Sequence, residues 1–585
     1  MSDRVPALHP WPISHLLNRV VREWESRREI FGLQARRFYK APTDVDLSCT
    51  LGGRRLLTPV GPAAGPHTQL AENIVLSWLA GARTFELKTV QVLDELDIER
   101  PCIDMENVGY NIEWSQELTL SESLREYVKG WLMLSVLREW EPLQEVLGEM
   151  GEHIFEMSVG YDLAGMKSPT MDTFIKGLLN AEAMVDELRA EIPEAFAALR
   201  DVEVPGRLIQ NATLSTFHGC PPDEIEHVVE HLMETYDLDV TVKLNPTLLG
   251  MEAVREILHD RLGHTEVELD PEVFSADLQF DRAIEMITRL QKFAAARGRE
   301  FGLKLTNSLV VTNTRSVMPG DEMYLSGKPL HVIAMTLLEK LHRALPGQLQ
   351  VAGQAGPIPV AFSAGIDKDN VAEAVALGLA PVTICSDLLK PGGFGRMAQG
   401  LKKMAKTMRD QETPTLKLWQ EHALKQAVNA GQIDAVAHRA AILAEPDGYA
   451  RYSKAKTDKP LRQVDHVLEM FDCVACTNCV TVCPNDAFLS VPSQTMEGLE
   501  AKAQYLVLAE LCNDCGNCTT FCPEEGAPHL IKPRLFLDRS NWEMRGKKGM
   551  LIGPDGKVSG ADPDEAALAQ KILEQGPWQL HEDHS

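Results

Sequence analysis

A chain of 585 residues exceeds one ordinary hydrophobic core, so two or more domains are expected. Its 44% hydrophobic and 24% charged residues are the composition of a soluble globular protein. The formal net charge of -26 excludes a nucleic-acid or anionic-membrane partner, because neutralising phosphates takes clustered Lys and Arg.

No apolar run approaches the roughly 18 residues of a membrane span and no signal-like segment opens the chain, so a cytoplasmic location is expected. The first forty residues read as a helical preface, with Leu16, Leu17, Val20, Val21 and Trp24 at helical spacing. Short apolar segments then alternate with amphipathic ones: residues 57–65, 84–90, 153–160, 208–216, 240–246, 301–307, 357–365 and 381–389 read as strands. Helical stretches such as 69–80, 121–137, 222–236, 280–297, 331–344 and 369–377 lie between them. This alternation predicts an α/β fold, a (β/α)8 TIM barrel occupying residues 1–405 together with its helical preface. A doubly wound sheet is the rival, and it would open with a GxGxxG fingerprint that this chain lacks.

Barrel chemistry sits where strands end. The expected strand ends carry Ala63, Ala64 and Gly65 on the first, Lys88 and Thr89 on the second, Asn211 on the fourth, and Lys243 and Asn245 on the fifth. Thr306 and Asn307 end the sixth, Ser363, Ala364 and Gly365 the seventh, and Ser386 the eighth. One such lysine is ordinarily a surface charge and one such glycine a tight turn. Two lysines on inner strands, with amides and small residues beside them, point to a shared flavin or anion site whose phosphate lies at the loops after strands seven and eight.

Residues 406–467 read as a charged helical connector packing a further module against the barrel. That module, residues 468–536, is announced by two cysteine runs, Cys473, Cys476, Cys479, Cys483 and Cys512, Cys515, Cys518, Cys522, each C-x2-C-x2-C-x3-C-P. This is the ligand spacing of a two-cluster ferredoxin, in which the fourth cysteine of each run reaches the other [4Fe–4S] cube. Cys473, Cys476, Cys479 and Cys522 are therefore assigned to one cluster, and Cys512, Cys515, Cys518 and Cys483 to the other. Zinc favours two CxxC pairs per site and disulfides need an oxidising compartment; neither explains the duplicated run with its proline. The tail, 537–585, is rich in Gly, Asp and Glu and reads as partly disordered, its closing histidines solvated.

Residues 58–65, Glu86-Leu87-Lys88-Thr89, 242–246 and Phe362-Ser363-Ala364-Gly365-Ile366 resemble the FMN-binding strand ends of dihydroorotate and dihydropyrimidine dehydrogenases. The order of parts is similar to the C-terminal half of dihydropyrimidine dehydrogenase. Over most of residues 10–400 the sequence looks more narrowly like the N-terminal region of the iron–sulfur flavoproteins of the selenate reductase group, through residues 61–70, 214–222 and 243–250. The resemblance implies FMN, and an FAD/NAD(P)H-dependent partner subunit or a ferredoxin as electron donor, within an oligomer or complex. It also points to Cys220, with His218 beside it, as the acid that protonates a pyrimidine- or purine-like substrate. Two departures stand out: the pyrimidine enzymes carry their acid in Asn-x-Ser-Cys-Pro, whereas here the loop reads His218-Gly219-Cys220-Pro221, and Asp387 follows Ser386 where a flavin phosphate is expected.

The reading is an iron–sulfur flavoprotein oxidoreductase passing electrons through two clusters to FMN for reduction of a heterocycle. Two rivals remain: a flavin-free barrel serving as scaffold in a larger redox complex, and a glutamate-synthase-like electron-input subunit.

Overall fold

The computed structural model describes residues 8–93, 98–112, 115–217, 220–493, 499 and 501–575. Eight parallel strands form the barrel: β1 (Val60–Pro62), β2 (Thr84–Glu86), β3 (Ile154–Val159), β4 (Ile209–Ser215), β5 (Asp239–Leu244), β6 (Phe301–Leu305), β7 (Ile358–Phe362) and β8 (Val382–Ile384). Each lies within one of the eight segments expected from the sequence, save that β5 begins one residue earlier. Strands β2 to β7 pair in sequence order, β8 pairs with both β7 and β1, and Val382–Ile384 run in register with Val60–Pro62. Between β1 and β2 the ring is all but closed, with the Arg83 amide donating to Val60 O at 3.1 Å. A Cβ at Gly61 would lie 1.6 Å from Thr84 O, so only glycine lets these two strands approach this closely.

The strands are buried on both faces, as parallel strands covered by crossover helices must be. A hairpin, Cys49–Leu51 with Arg54–Leu56, lies at the N-terminal end of the barrel. Over the opposite end sits a four-stranded antiparallel sheet assembled from insertions after β2 and β6: Ile103–Asp104, Tyr110–Asn111, Glu322–Leu325 and Leu309–Thr312. The sequence reading contained no such cap, because two of its strands are two residues long and too short to show a period.

The preface forms helix α1 (Ile13–Arg27), which buries Leu16, Leu17, Val20 and Trp24. It also does something its periodicity did not announce: it clamps the cysteine-rich module. Trp11 Nε1 donates to Glu510 Oε2 at 3.0 Å, and Arg19 pairs with Asp486 at 2.7 Å with both side chains almost wholly buried. The helices in 406–467, Leu416–Asn429 and Ala435–Ala444, pack on the barrel wall through contacts such as His342 Nε2 to Asp434 at 2.8 Å, and the end of the segment reaches the module, where the Val464 amide donates to Pro523 O at 2.8 Å.

In the module a five-stranded sheet runs β9 (Phe488–Pro492), β10 (Ala503–Leu508), β11 (Arg534–Phe536), β12 (Met550–Ile552) and β13 (Val558–Ser559). The last two strands, and the helix Pro563–Gln575 that buries Ala566, Ala569, Ile572 and Leu573, lie in the stretch read as a partly disordered tail. That reading is corrected through residue 575: composition flagged Gly, Asp and Glu, but the few apolar residues sit where an existing sheet edge receives them. The closing histidines, His581 and His584, lie outside the described residues.

Candidate functional site

The barrel mouth holds a cleft lined by residues from seven strand ends, all but β3, and the cap. Ala63, Ala64, Gly65, Lys88, Thr89, Lys243, Thr306, Asn307, Ser363, Gly365 and Ser386 all reach it, as the sequence reading expected. Ala364 is buried behind Gly365, and its carbonyl accepts from or faces His331 Nδ1 at 3.1 Å. Asn245 stands one layer back: its amide donates to Thr216 O at 2.9 Å and Asp277 Oδ2 at 2.8 Å, and its Oδ1 accepts from Asn307 Nδ2 at 2.7 Å. Asn307 thus reaches the cleft with its amide already oriented, its own Oδ1 accepting from Ser215 Oγ at 3.1 Å. Asn211 is elsewhere. It lies near the start of β4, beyond an irregularity in pairing with β3, and lines a cavity at the N-terminal end with Gln210, Asp239 and Glu300. The strand lies where the sequence predicts it, but Asn211 stands toward its start and not at its end.

Beneath the cleft is a buried ionic cluster. Glu86, on β2, is fully buried between Lys243 Nζ at 3.3 Å and Lys304 Nζ at 3.0 Å, and its carboxylate also accepts the Ala64 amide at 2.8 Å. Burial alone would raise this carboxyl; the two ammonium groups and the amide override it and hold Glu86 at about 2. Lys243 goes below its ordinary value because burial outweighs the pull of Glu86. Glu156 lies within the field of Lys304 and Glu86 as well, so the lysines that the cleft lining itself presents, Lys88 and Lys243, are what favour an anionic ring or substrate there. Lys304 was not among the expected site residues, although a lysine in the otherwise apolar run Phe301-Gly302-Leu303-Lys304-Leu305 signals it.

On the far side of the cleft, hydroxyls gather near the start of the helix Lys328–Ala344: Ser386 Oγ donates to Ser326 Oγ at 3.0 Å, and Ser326 Oγ to Gly109 O at 3.1 Å. Gly365, at φ +56°, packs so closely on this turn that a Cβ would lie 2.2 Å from Gly327 O. Ser326 and Gly327 were missed by sequence reading because they arrive from the cap insertion. Asp387, the expected obstacle to a phosphate, is turned aside: its carboxylate accepts from Arg396 Nη2 at 2.6 Å and from the Lys368 amide at 3.2 Å. The residues therefore fit a flavin phosphate, with a helix start as donor and the two serine hydroxyls able to rotate from their present acceptors onto it. Thr306 Oγ1, buried at the cleft with no partner among the described residues, is a further polar group for a bound ring to satisfy.

Cys220 is not at this cleft. It lies in a neighbouring one with Asn245 and Pro246, beyond Phe217, and burial followed by the nearby Glu224 pushes its thiol up to about 12. His218 falls outside the described residues. A different thiol, Cys385, does reach the mouth cleft and stands 2.7 Å from where a Gly65 Cβ would be.

The eight cysteines of the two runs crowd together in the module. Burial and then Cys476, Cys473 and Cys522 push Cys479 far above the ordinary thiol value, while burial with Cys512 and Cys483 among the neighbours does the same to Cys518. Buried thiols crowded this way cannot all ionise without a cationic group among them, which is what an iron–sulfur cluster supplies. The second group abuts the barrel mouth. The Cys102 and Ile103 amides both donate to Cys515 O at 3.1 Å, and Asn517 Nδ2 donates to Leu389 O at 2.9 Å; Ile103 and Leu389 line the cleft.

Comparison with known proteins agrees with this architecture. Residues 31–441 match the model of the oxidoreductase YgfK N-terminal TIM-barrel domain, and residues 466–527 that of the 4Fe-4S dicluster domain. YgfK of Escherichia coli, from strain K12 and from O157:H7, is 39% identical over 416 residues, covering 68% of this chain and 39% of the relative. The chain thus aligns with well under half the length of these curated relatives. Solved DHODH structures from Eimeria tenella, ligand-free and in complex with ferulenol, are 14% and 13% identical. They cover 66% and 70% of this chain and 94% and 95% of their own, with TM-scores of 0.38 and 0.40. Among the described residues no helix is long and apolar enough to cross a membrane. With its barrel matched over 31–441 and a dicluster domain after it, the chain belongs to the family of the oxidoreductase YgfK N-terminal TIM-barrel domain.

Proposed function

We propose that this chain is an oxidoreductase unit whose barrel mouth holds FMN and whose C-terminal module holds two [4Fe–4S] clusters, acting on a pyrimidine- or purine-like heterocycle. The observation that carries the reading is the shared wall between the two sites: Ile103 lines the cleft and its amide donates to the carbonyl of Cys515. An electron-transfer module has no need to pack against a barrel mouth unless something there receives or gives electrons.

When bound, FMN supplies the exchange between single electrons and two-electron hydride chemistry. The protein's own part is binding, orientation and charge. Ser326, Ser386 and the Gly365 turn would hold the phosphate, while Lys88, Lys243, Thr306 and Asn307 would face the ring or the substrate. Glu86 anchors both the Lys243 ammonium and the Ala64 amide, so the basic and small-residue walls are fixed by one carboxylate. The cap contributes Asn111 and Tyr324 to the cleft wall. Cys473, Cys476, Cys479 and Cys522 would hold one cluster, and Cys512, Cys515, Cys518 and Cys483, nearer the mouth, the other.

Two thiols compete for the role of proton donor. Cys220 is the candidate from loop resemblance, and its raised value keeps it protonated, but only Cys385 lines the cleft. Substrate reduction slowed roughly a hundredfold in Cys220→Ala, with normal flavin content, assigns the role to Cys220; the same loss in Cys385→Ala alone assigns it to Cys385. Electrons would come from an FAD/NAD(P)H-dependent partner subunit or a ferredoxin.

The experiment that tests the whole reading is anaerobic purification with acid extraction of flavin, iron and sulfide. FMN released together with iron and sulfide supports it; a folded, cluster-loaded protein that neither contains nor takes up FMN leaves the barrel as a scaffold.

A further inference from the structure

We propose that the barrel interior is a proton path, running from a cavity at its N-terminal end through Glu156, Lys304, Glu86 and Lys243 to the mouth cleft. A (β/α)8 barrel ordinarily fills its interior with branched apolar side chains. Here two pairs of ionisable residues stand on neighbouring strands: Glu86 and Glu156 are in register across β2 and β3, and Lys243 and Lys304 across β5 and β6. All four are buried. As a device for stability such a cluster is a poor choice, since desolvating the charges offsets much of their attraction and packed apolar side chains would serve as well.

The four groups join two separate spaces. Lys243 lines the mouth cleft. Glu156 and Lys304 line the cavity at the opposite end, whose volume of about 70 Å³ has room for about two waters. The exposed Gln210 and Glu300 and the half-buried Asp239 connect that cavity to solvent. Glu86 bridges the two spaces, 3.0 Å from Lys304 Nζ and 3.3 Å from Lys243 Nζ. The gap in the line falls between Glu156 and Lys304, where both border the cavity and a water can span it. Glu156 Oε1 accepts from Asn211 Nδ2 at 3.2 Å. Apart from Glu86, Lys304 Nζ has no partner among the described residues, so its other protons are available to such a water.

The groups also differ from one another as a relay requires. Burial lifts the Glu156 carboxyl above its ordinary value against the pull of Lys304, so it can hold a proton taken from water. Burial lowers Lys243, which therefore gives its proton up more readily than an exposed lysine. Glu86 is held down by two ammonium groups; once Lys243 has passed its proton into the cleft, only Lys304 remains to hold it, and the carboxylate becomes basic enough to take a proton from Lys304 and hand it to Lys243. Lys304 refills from Glu156 through the cavity water, and Glu156 from solvent. One proton crosses the barrel, no electron moves, and every group returns to its starting state. The proposal rests on the flavin reading: electrons relayed by clusters arrive without protons, whereas the hydride that leaves a flavin carries one away, so each reduction at the mouth draws on water for it.

The test is stopped-flow reduction of the FMN-loaded, cluster-loaded full chain by excess dithionite in H2O and in D2O, with FMN and iron content measured first. Glu156→Gln keeps the size of the side chain and an acceptor for Asn211 but cannot carry a proton. It should slow flavin reduction roughly tenfold at normal FMN and iron content, with a larger solvent isotope effect than the unaltered chain. Glu156→Asp should recover part of the rate, and imidazole, a soluble proton carrier, should speed the Gln variant more than the unaltered chain. An FMN-loaded Glu156→Gln chain with the unaltered rate and isotope effect overturns the proton path alone, as does a slowed variant whose isotope effect is unchanged and which imidazole does not rescue. A folded chain that takes up no FMN removes the demand for protons at the mouth and overturns the path together with the flavin reading.

Discussion

The barrel mouth and the cysteine module solve opposite electrostatic problems. At the mouth, opposite charges are interleaved: Glu86 sits between Lys243 and Lys304 and also takes the Ala64 amide. In the module, like groups converge, with each buried thiol pushed up partly by its neighbours. The charges of the first site are balanced by protein groups, whereas the thiols of the second are frustrated until an inorganic group arrives. Metal binding should therefore count as folding energy for the module and as almost nothing for the barrel.

The most damaging way to probe that contrast is to remove the inorganic group. Cys518→Ala should cost roughly half the iron and melt the module, read as loss of amide-exchange protection across β9 to β11, while the barrel strands keep theirs. Equal loss in both regions would show that the barrel leans on the clusters as well. Next comes Glu86→Gln, which strands two buried lysines and should destabilise the barrel by about 3–5 kcal/mol in denaturant titration, with iron content unaffected. Lys243→Met removes one cation and leaves the other paired; FMN affinity should fall by roughly 10- to 100-fold, measured by fluorescence titration of the flavin-stripped protein.

The smallest effect concerns the clamp between the regions. Burial, and then Glu23, pushes Glu29 at the end of α1 up to about 7, against the lowering effect of Arg27. A carboxyl raised on folding contributes stability that is fully present below its ordinary value near 4.5 and is lost as pH rises through about 7. Amide protection in α1, corrected for intrinsic exchange, should accordingly fall between about pH 4.5 and 7, and Glu29→Gln should flatten that dependence. A profile unchanged by the substitution would place the titrating group elsewhere.

Local sequence determined a good deal here. Ligand spacing announced the dicluster module, because the curl around a cube is set by cysteines three positions apart. The eight barrel strands were legible because buried parallel strands read as unbroken apolar runs between helical periods. Lys88, Lys243, Thr306 and Ser363 could be placed at the mouth for the same reason, each lying at the polar end of such a run. Tertiary structure decided what depends on pairing between distant segments. Asn211 went to the opposite end of the barrel because a strand's length and bulge fix which residue reaches the rim, and neither is written in composition. Ser326 joined the mouth only because residues from two insertions, more than two hundred positions apart, pair into one cap. Asp387 looked like an obstacle until Arg396, nine residues on, took its charge. Lys304 became part of the site through Glu86, a partner on a strand four places around the ring, and only the closing of that ring brings the two within 3.0 Å.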